Sequence, residues 1–298
     1  MLEFRESRDI VSECDALSLT DSRALYGSEN ALPLLVVETT QFRSVIALQG
    51  AQLLSHVTAA GDCLWLSEDC RFEAGKPIRG GVPLCLPWFG PHPSGEGFPK
   101  HGLARLQEWR LEMAHSEGRE IILRFCCELK QGGGVASDLV ARLEMRLADS
   151  VTMVLQMVNV GRSAMPLSFA FHSYFAVDDV RRAEVDNLQS REYLDNTDGL
   201  SVKLQRGRLG FNGEVDRVFQ GVVGGQRLLA GSALRVTGQA CPTVIVWNPG
   251  PELGAEMDDV GDGWKKFVCV ERGAAFGDAL LLQPGSSYVS RMSIIRDD

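Results

Sequence analysis

Along most of the chain, apolar and polar residues alternate in runs too short for ordinary helices. TMVLQMVNV (152–160) and IILRFCCEL (121–129) carry the period of two most clearly. That period marks strands with one face on a core and the other toward water. LPLLVVET, RSVIALQG, AQLLSHVT, EWRLEMAH, LVARLEMRLA, ALRVTG, TVIVWN, KFVCVE and SYVSRMSII read the same way, each bounded by glycine or polar residues. Helical periodicity is scarce and weak, confined to IVSECDAL (10–17) near the start. Many short strands with turn signals between them predict an all-β fold, an antiparallel sandwich or barrel. QGGGVASD (131–138) reads as a hairpin loop rather than a boundary, and no linker or repeat divides the chain. The expected organisation is an N-terminal arm over residues 1–30 and a single β domain over 31–298.

Composition narrows the function classes. The 298 residues are 45% hydrophobic and carry a net charge of −9, which argues against nucleic-acid binding. No apolar run reaches the length of a spanning helix, and the charged N-terminus lacks a secretory apolar core; a cytoplasmic protein with no membrane partner is expected. The eight cysteines form no C-x-x-C pair and the five histidines show no metal-ligand spacing, so no structural metal is expected and the thiols read as small core residues. Signatures of dinucleotide, P-loop and serine-hydrolase sites are missing from the sequence. DDVGDG (258–263) lacks the alternating carboxylates of a calcium loop.

Four segments concentrate unusual chemistry. GKPIRGGVPLCLPWFGP (75–91) sets Arg79 against two glycines and then runs apolar through Pro83 and Pro87, and FPKHGLAR (98–105) follows with Lys100, His101 and Arg105. FAFHSYF (169–175) places His172 in an aromatic run, EVDRVF (214–219) holds Asp216 beside Arg217, and FVCVERG (267–273) ends a buried-looking strand on Glu271. Taken singly, each has a plain explanation. An apolar-strand histidine is usually a satisfied core residue, a strand-end carboxylate is usually solvated, and an Asp–Arg dipeptide is usually a surface pair. Together, with glycines that permit close approach and aromatics around every one, they suggest a sugar site.

KPIRGGVPLCLPWFG, HGLAR, FHSYF, DRVF and VERG, in this order, resemble the hexose-6-phosphate mutarotases, the glucose-6-phosphate 1-epimerase branch of the aldose 1-epimerase family. The resemblance spans residues 30–295, and its most specific part is the IRGG-x-P and HG-x-AR pair. It implies a large antiparallel β-sandwich of the galactose mutarotase-like supersandwich type, acting as a monomer without a cofactor. It also implies that a hexose 6-phosphate has its α and β anomers interconverted. On this resemblance Glu271 matches the base that takes the anomeric proton and His172 the acid at the ring oxygen. His101 matches a histidine near the sugar oxygens and Asp216 a residue holding sugar hydroxyls. Arg79 and Arg105 match residues that hold the phosphate, with Lys100 a weaker candidate. The chemistry suits these side chains, because reversible ring opening needs two groups that exchange roles near working pH.

Three other readings remain. An epimerase of unphosphorylated aldoses would not need two converging arginines. A non-catalytic carbohydrate-binding sandwich would not need both His172 and Glu271. A glycosidase would use Glu271 and Asp216 as its carboxylate pair.

Overall fold

The computed structural model describes residue 7, residues 9–95, 97–129 and 138–297; the QGGGVASD loop, apart from Asp138, lies outside the described residues. Strands are numbered in chain order. A five-stranded sheet follows the sequence: β1 (Leu17–Asp21), β2 (Pro33–Glu38), β3 (Phe42–Ala47), β4 (Gln52–Thr58) and β5 (Gly61–Asp62). An eight-stranded sheet contains β6 (Leu84–Cys85), β12 (Phe169–Phe171), β13 (Tyr174–Ala176), β15 (Glu192–Asp195), β16 (Ser201–Leu204), β18 (Val215–Phe219), β21 (Thr243–Asn248) and β22 (Phe267–Ala274).

A nine-stranded sheet contains β7 (Arg110–Glu117), β8 (Glu120–Leu129), β9 (Leu139–Leu147), β10 (Val151–Asn159), β14 (Glu184–Asp186), β17 (Leu209–Gly210), β19 (Gln226–Ala230), β20 (Ser232–Gln239) and β24 (Ser287–Asp297). The strands β11 (Met165–Leu167) and β23 (Leu280–Leu282) pair separately. Every ladder between named strands is antiparallel. Among the described residues helices are few and short: a stretch at residues 9–12, α1 (Ser22–Tyr26) and α2 (Gly250–Glu256), with short 3-10 segments elsewhere. Among the described residues no helix is long and apolar enough to cross a membrane.

The all-β sandwich expected from alternation is the observed fold. Along β10 every second residue from Val151 to Asn159 is buried, as the pattern requires. Phe125, Leu143 and Leu155 lie in register across β8, β9 and β10. They share one core with Val244, Val246, Val268 and Val270 of the eight-stranded sheet, so the two large sheets face each other. Each such aliphatic side chain contributes about 1.5–3 kcal/mol on burial. Within the N-terminal segment, β1 pairs along its whole length with β2. The weak helical period before it corresponds to a short helical stretch at residues 9–12.

β22 prepares the site. It is buried on both faces, yet the faces differ. Val268 and Val270 enter the core between the sheets. Phe267 and Cys269 join Tyr174 and Val260 in a separate cluster on the outer face. Because side chains alternate along a strand, Glu271 continues the series of Phe267 and Cys269, and Arg272 that of the core. Arg272 is buried there and donates to Gln226 Oε1 at 2.7 Å.

Candidate active site

Strand register assembles a row of side chains across the outer face. Asp216 of β18 pairs with Trp247 of β21, Trp247 with Cys269 of β22, and Cys269 with Tyr174 of β13. One step along β22, Glu271 pairs with Ile245. His172 sits in the bend between β12 and β13, next to Phe171, which pairs with Arg272. Residues from four distant parts of the sequence thus converge through the antiparallel ladder.

The GKPIRGG run explains how the His172 bend is held. Its residues 80–88 are buried, but only Leu84 and Cys85 form a strand. The carbonyl of Pro83 accepts the His172 N–H at 2.9 Å, and that of Gly81 accepts the Tyr174 N–H at 2.8 Å. Proline lacks a donor but keeps its acceptor, so Pro83 can sit beside β12 and still fix His172. Gly81 has φ +61°, and a Cβ there would lie 2.1 Å from the Leu53 carbonyl oxygen; at Gly80 it would meet that of Trp65 at 2.5 Å. Only glycine lets the segment lie this close to its neighbours.

His172 Nε2 lies 3.4 Å from Glu271 Oε1. Both side chains are buried, and His172 Nδ1 and Glu271 Oε2 have no hydrogen-bond partner among the described residues. The His172 ring stacks on Tyr174 at 4.8 Å and 8°, with His101 (5.6 Å) and Trp247 (6.0 Å) edge-on. Burial, aided by Asp216, drives the Glu271 carboxyl well above the usual carboxylate range, against a smaller opposing pull from Arg105. Burial and the positive charges near it hold His172 well below the usual histidine range. Both shifts favour the uncharged form, as desolvation dictates.

His101 occupies a left-handed conformation with φ +64°. Its Nδ1 accepts the Gly90 N–H at 3.2 Å, which leaves the ring proton on Nε2. Burial, with Arg105, Lys100 and Arg79, lowers its pKa to about 3, so His101 is a neutral donor at ordinary pH. Asp216 is raised, chiefly by burial, although the Asn196 amide donates to its Oδ2 at 2.6 Å.

Arg79 donates through Nε to Asp259 and through Nη1 to the Tyr174 hydroxyl, both at 3.0 Å. It borders a cleft of about 440 Å³ also lined by Arg71, Lys76, Asp258 and Asp259. Arg105 donates to the Lys100 carbonyl at 2.8 Å, while its buried Nε has no partner among the described residues. The positive charges of Arg79 and Arg105 both act on the two histidines.

The structure therefore gathers His172, Glu271, His101, Asp216, Arg79 and Arg105 around one face. The Asp216–Arg217 dipeptide is not an ion pair: Arg217 turns to Gln205 Oε1 at 2.6 Å and lies over the Tyr193 ring. Lys100 accepts from Arg105 through its carbonyl, and its ammonium acts on His101 only as a nearby positive charge. Tyr174, Trp247, Cys269, Asn196 and Asp259 do not stand out from the sequence alone. Tyr174 is within reach of such a reading, because it follows His172 by two residues in FAFHSYF. Asp259 is not, since only the fold carries DDVGDG to Arg79.

The aldose 1-epimerase family matches residues 33–294 of the chain. An Escherichia coli (strain K12) protein named “Putative glucose-6-phosphate 1-epimerase” is 34% identical over 251 residues, covering 80% of this chain and 82% of that protein. The crystal structure of a Salmonella typhimurium protein named “putative mutarotase (YeaD)” superposes with a TM-score of 0.82 at 28% identity, covering 90% of this chain and 91% of that one. A galactose mutarotase-like protein from Clostridium acetobutylicum shares the fold at 12% identity, with a TM-score of 0.72 over 96% of this chain and all of that one.

Proposed function

The chain belongs to the aldose 1-epimerase family, and from that premise we propose that it interconverts the α and β anomers of a hexose 6-phosphate. The observation that carries the chemistry is the 3.4 Å contact between His172 and Glu271, two buried groups whose shifts rest one exchangeable proton on Glu271 with a neutral His172 beside it to take that proton. With the proton on His172, the Glu271 carboxylate takes the anomeric hydroxyl proton while the imidazolium protonates the ring oxygen. The C1–ring-oxygen bond breaks to give the open aldehyde, rotation about C1–C2 exposes its other face, and the reverse transfers close the ring. With the proton on Glu271 the two groups exchange roles, as a reversible reaction demands. Each macroscopic pKa then belongs to the pair rather than to one residue.

The other residues serve binding. Asp216 accepts sugar hydroxyls, and the neutral His101 offers its Nε2–H to a sugar oxygen. Arg79 and Arg105 hold the phosphate, which suits guanidinium groups. In the free protein Asp259 occupies Arg79, so the phosphate takes the place of a carboxylate already there.

The test is to add α-glucose 6-phosphate to glucose-6-phosphate dehydrogenase, which consumes the β anomer, and follow NADPH with and without this protein. Acceleration that is lost in Glu271→Gln and His172→Ala supports the reading. Sugar phosphate binding without acceleration would leave a carbohydrate-binding sandwich instead.

A further inference from the structure

The mechanism leaves one buried group at the centre of the site unused. Cys269 precedes Glu271 by two residues, faces the same way along β22, and pairs with Tyr174. A ring nitrogen of His172, the Cys269 sulfur and a Glu271 carboxylate oxygen all lie within 4.8 Å of one another. The residue exposures are 7% for His172, 0% for Cys269 and 1% for Glu271. Imidazole, thiolate and carboxylate together are a donor set that zinc-like ions take up readily. Two further polar atoms here, His172 Nδ1 and Glu271 Oε2, have no protein partner among the described residues.

We propose that His172, Cys269 and Glu271 form a binding site for a thiophilic divalent ion, Zn2+ or Cd2+, which inhibits the enzyme by occupying the acid–base pair. Tetrahedral zinc bonded at its usual lengths places its nitrogen, oxygen and sulfur ligands about 3.3–3.6 Å apart. The His172–Glu271 contact of 3.4 Å already fits that spacing. The sulfur, within 4.8 Å of both other ligand atoms, needs to close by roughly 1.2 Å at most to reach it. The fourth position falls to water. On binding, the ion displaces the thiol proton and any proton on the carboxyl to solvent, and nothing is oxidised or reduced.

The same features make this an exchangeable inhibitory ion rather than a resident one. The protein supplies three ligands, and His172 Nδ1 lacks the acceptor that usually fixes a ligating imidazole. Mg2+, which favours oxygen ligands and keeps its waters, does not suit this donor set.

The inference rests on the proposed function only for its competitive character; the binding site stands independently. Two measurements separate the two. Cd2+ titration of the protein, followed by the ultraviolet thiolate-to-metal charge-transfer band, reports binding without activity. Exchange between anomeric proton signals of glucose 6-phosphate, followed by NMR, reports inhibition without a coupling enzyme. Zn2+ should raise the apparent KM and leave kcat unchanged, EDTA should reverse this, and equal Mg2+ should have no effect. Cys269→Ala should keep anomer exchange, lose one equivalent of the Cd2+ band and raise the Zn2+ inhibition constant at least tenfold, the lower end of losses seen when a metal site's support is removed. Cys269→Val provides the same test if the smaller residue destabilises the strand. Equal Zn2+ inhibition in wild type and the variant, or an unchanged Cd2+ band, would overturn the proposal. A lost band in a protein that exchanges no anomers would uphold the metal site and remove the proposed function.

Discussion

His172 and Glu271 stand 3.4 Å apart, and each turns a second polar atom, Nδ1 and Oε2, toward no protein partner among the described residues. Buried polar atoms without partners are costly and uncommon in folded proteins. In a site that admits a sugar, hydroxyl and ring oxygens can satisfy them on binding. The pair is therefore held in place by its surroundings: the Pro83 carbonyl, the Tyr174 ring and the ladder of β22 with β21.

Removing either member should lower kcat far more than it changes KM. Glu271→Gln keeps the shape and loses the base; His172→Ala loses the partner. Each is expected to reduce anomer exchange by about 10²–10⁴-fold, the usual contribution of a positioned acid or base. The double variant should be little worse than either single one, because the two act as a unit. Multiplicative losses, measured by exchange NMR, would mean that the residues act separately.

Arg79 and Asp259 should respond in opposite directions. Arg79→Ala removes a charged donor, and KM for the phosphorylated sugar should rise about 10–150-fold, matching roughly 1.5–3 kcal/mol for a hydrogen bond to a charged group. KM for the unphosphorylated hexose should change much less. Asp259→Asn removes the carboxylate that competes for Arg79, so KM for the phosphate ester should fall. Initial rates with glucose and glucose 6-phosphate decide the matter. An unchanged KM for the ester in Arg79→Ala would remove Arg79 from the binding site.

Much of this arrangement is legible in the sequence. Alternation locates β8, β9, β10 and β21 because each is long or strongly patterned; burial follows the period of two along β9 and β10, whereas β8 and β21 are buried at most positions on both faces. Short strands such as β13, β14 and β17 span only two or three residues, too few for a period to register. His172 and Glu271 are visible as polar residues inside apolar runs. Their contact is not, because it depends on β12, β13 and β22 being neighbours across about a hundred residues of sequence. Cys269 reads as an ordinary core thiol, and Trp247 as one apolar residue of TVIVWN. What distinguishes them is the row Asp216–Trp247–Cys269–Tyr174, a product of cross-strand register alone.

Gly81 provides a test of the segment that holds His172. Alanine there would press its Cβ to 2.1 Å from the Leu53 carbonyl oxygen at φ +61°, so the backbone must shift or strain. A loss of at least about 2 kcal/mol is expected, within the range for strained backbone positions. For a chain of this size that lowers Tm by several degrees. Gly75→Ala supplies the control, since it shares a positive φ but nothing lies within 4 Å of its added Cβ. Equal Tm losses in the two would show that conformation, not close packing, sets the cost at Gly81.

Glu271 should also leave a mark on the pH dependence of stability. Its folded pKa is raised well above 4.5, first by burial and then by Asp216, with Arg105 opposing. Below the unfolded value both states hold the proton, and this group adds no slope. Above it, the unfolded chain releases a proton that the folded chain keeps, so stability falls as pH rises toward the folded value. His172 and His101 run the other way. Their folded pKa values are depressed, so the stability they contribute is present above the unfolded histidine value and is lost as pH falls below it. Glu271→Gln removes only the first effect. Its stability relative to wild type should therefore improve steadily between about pH 5 and pH 8, with a slope approaching roughly 1.4 kcal/mol per pH unit. Urea unfolding across that range measures the difference directly. Parallel curves for the two proteins would mean that Glu271 is ionised in the folded chain, with His172 then carrying the proton that the pair shares.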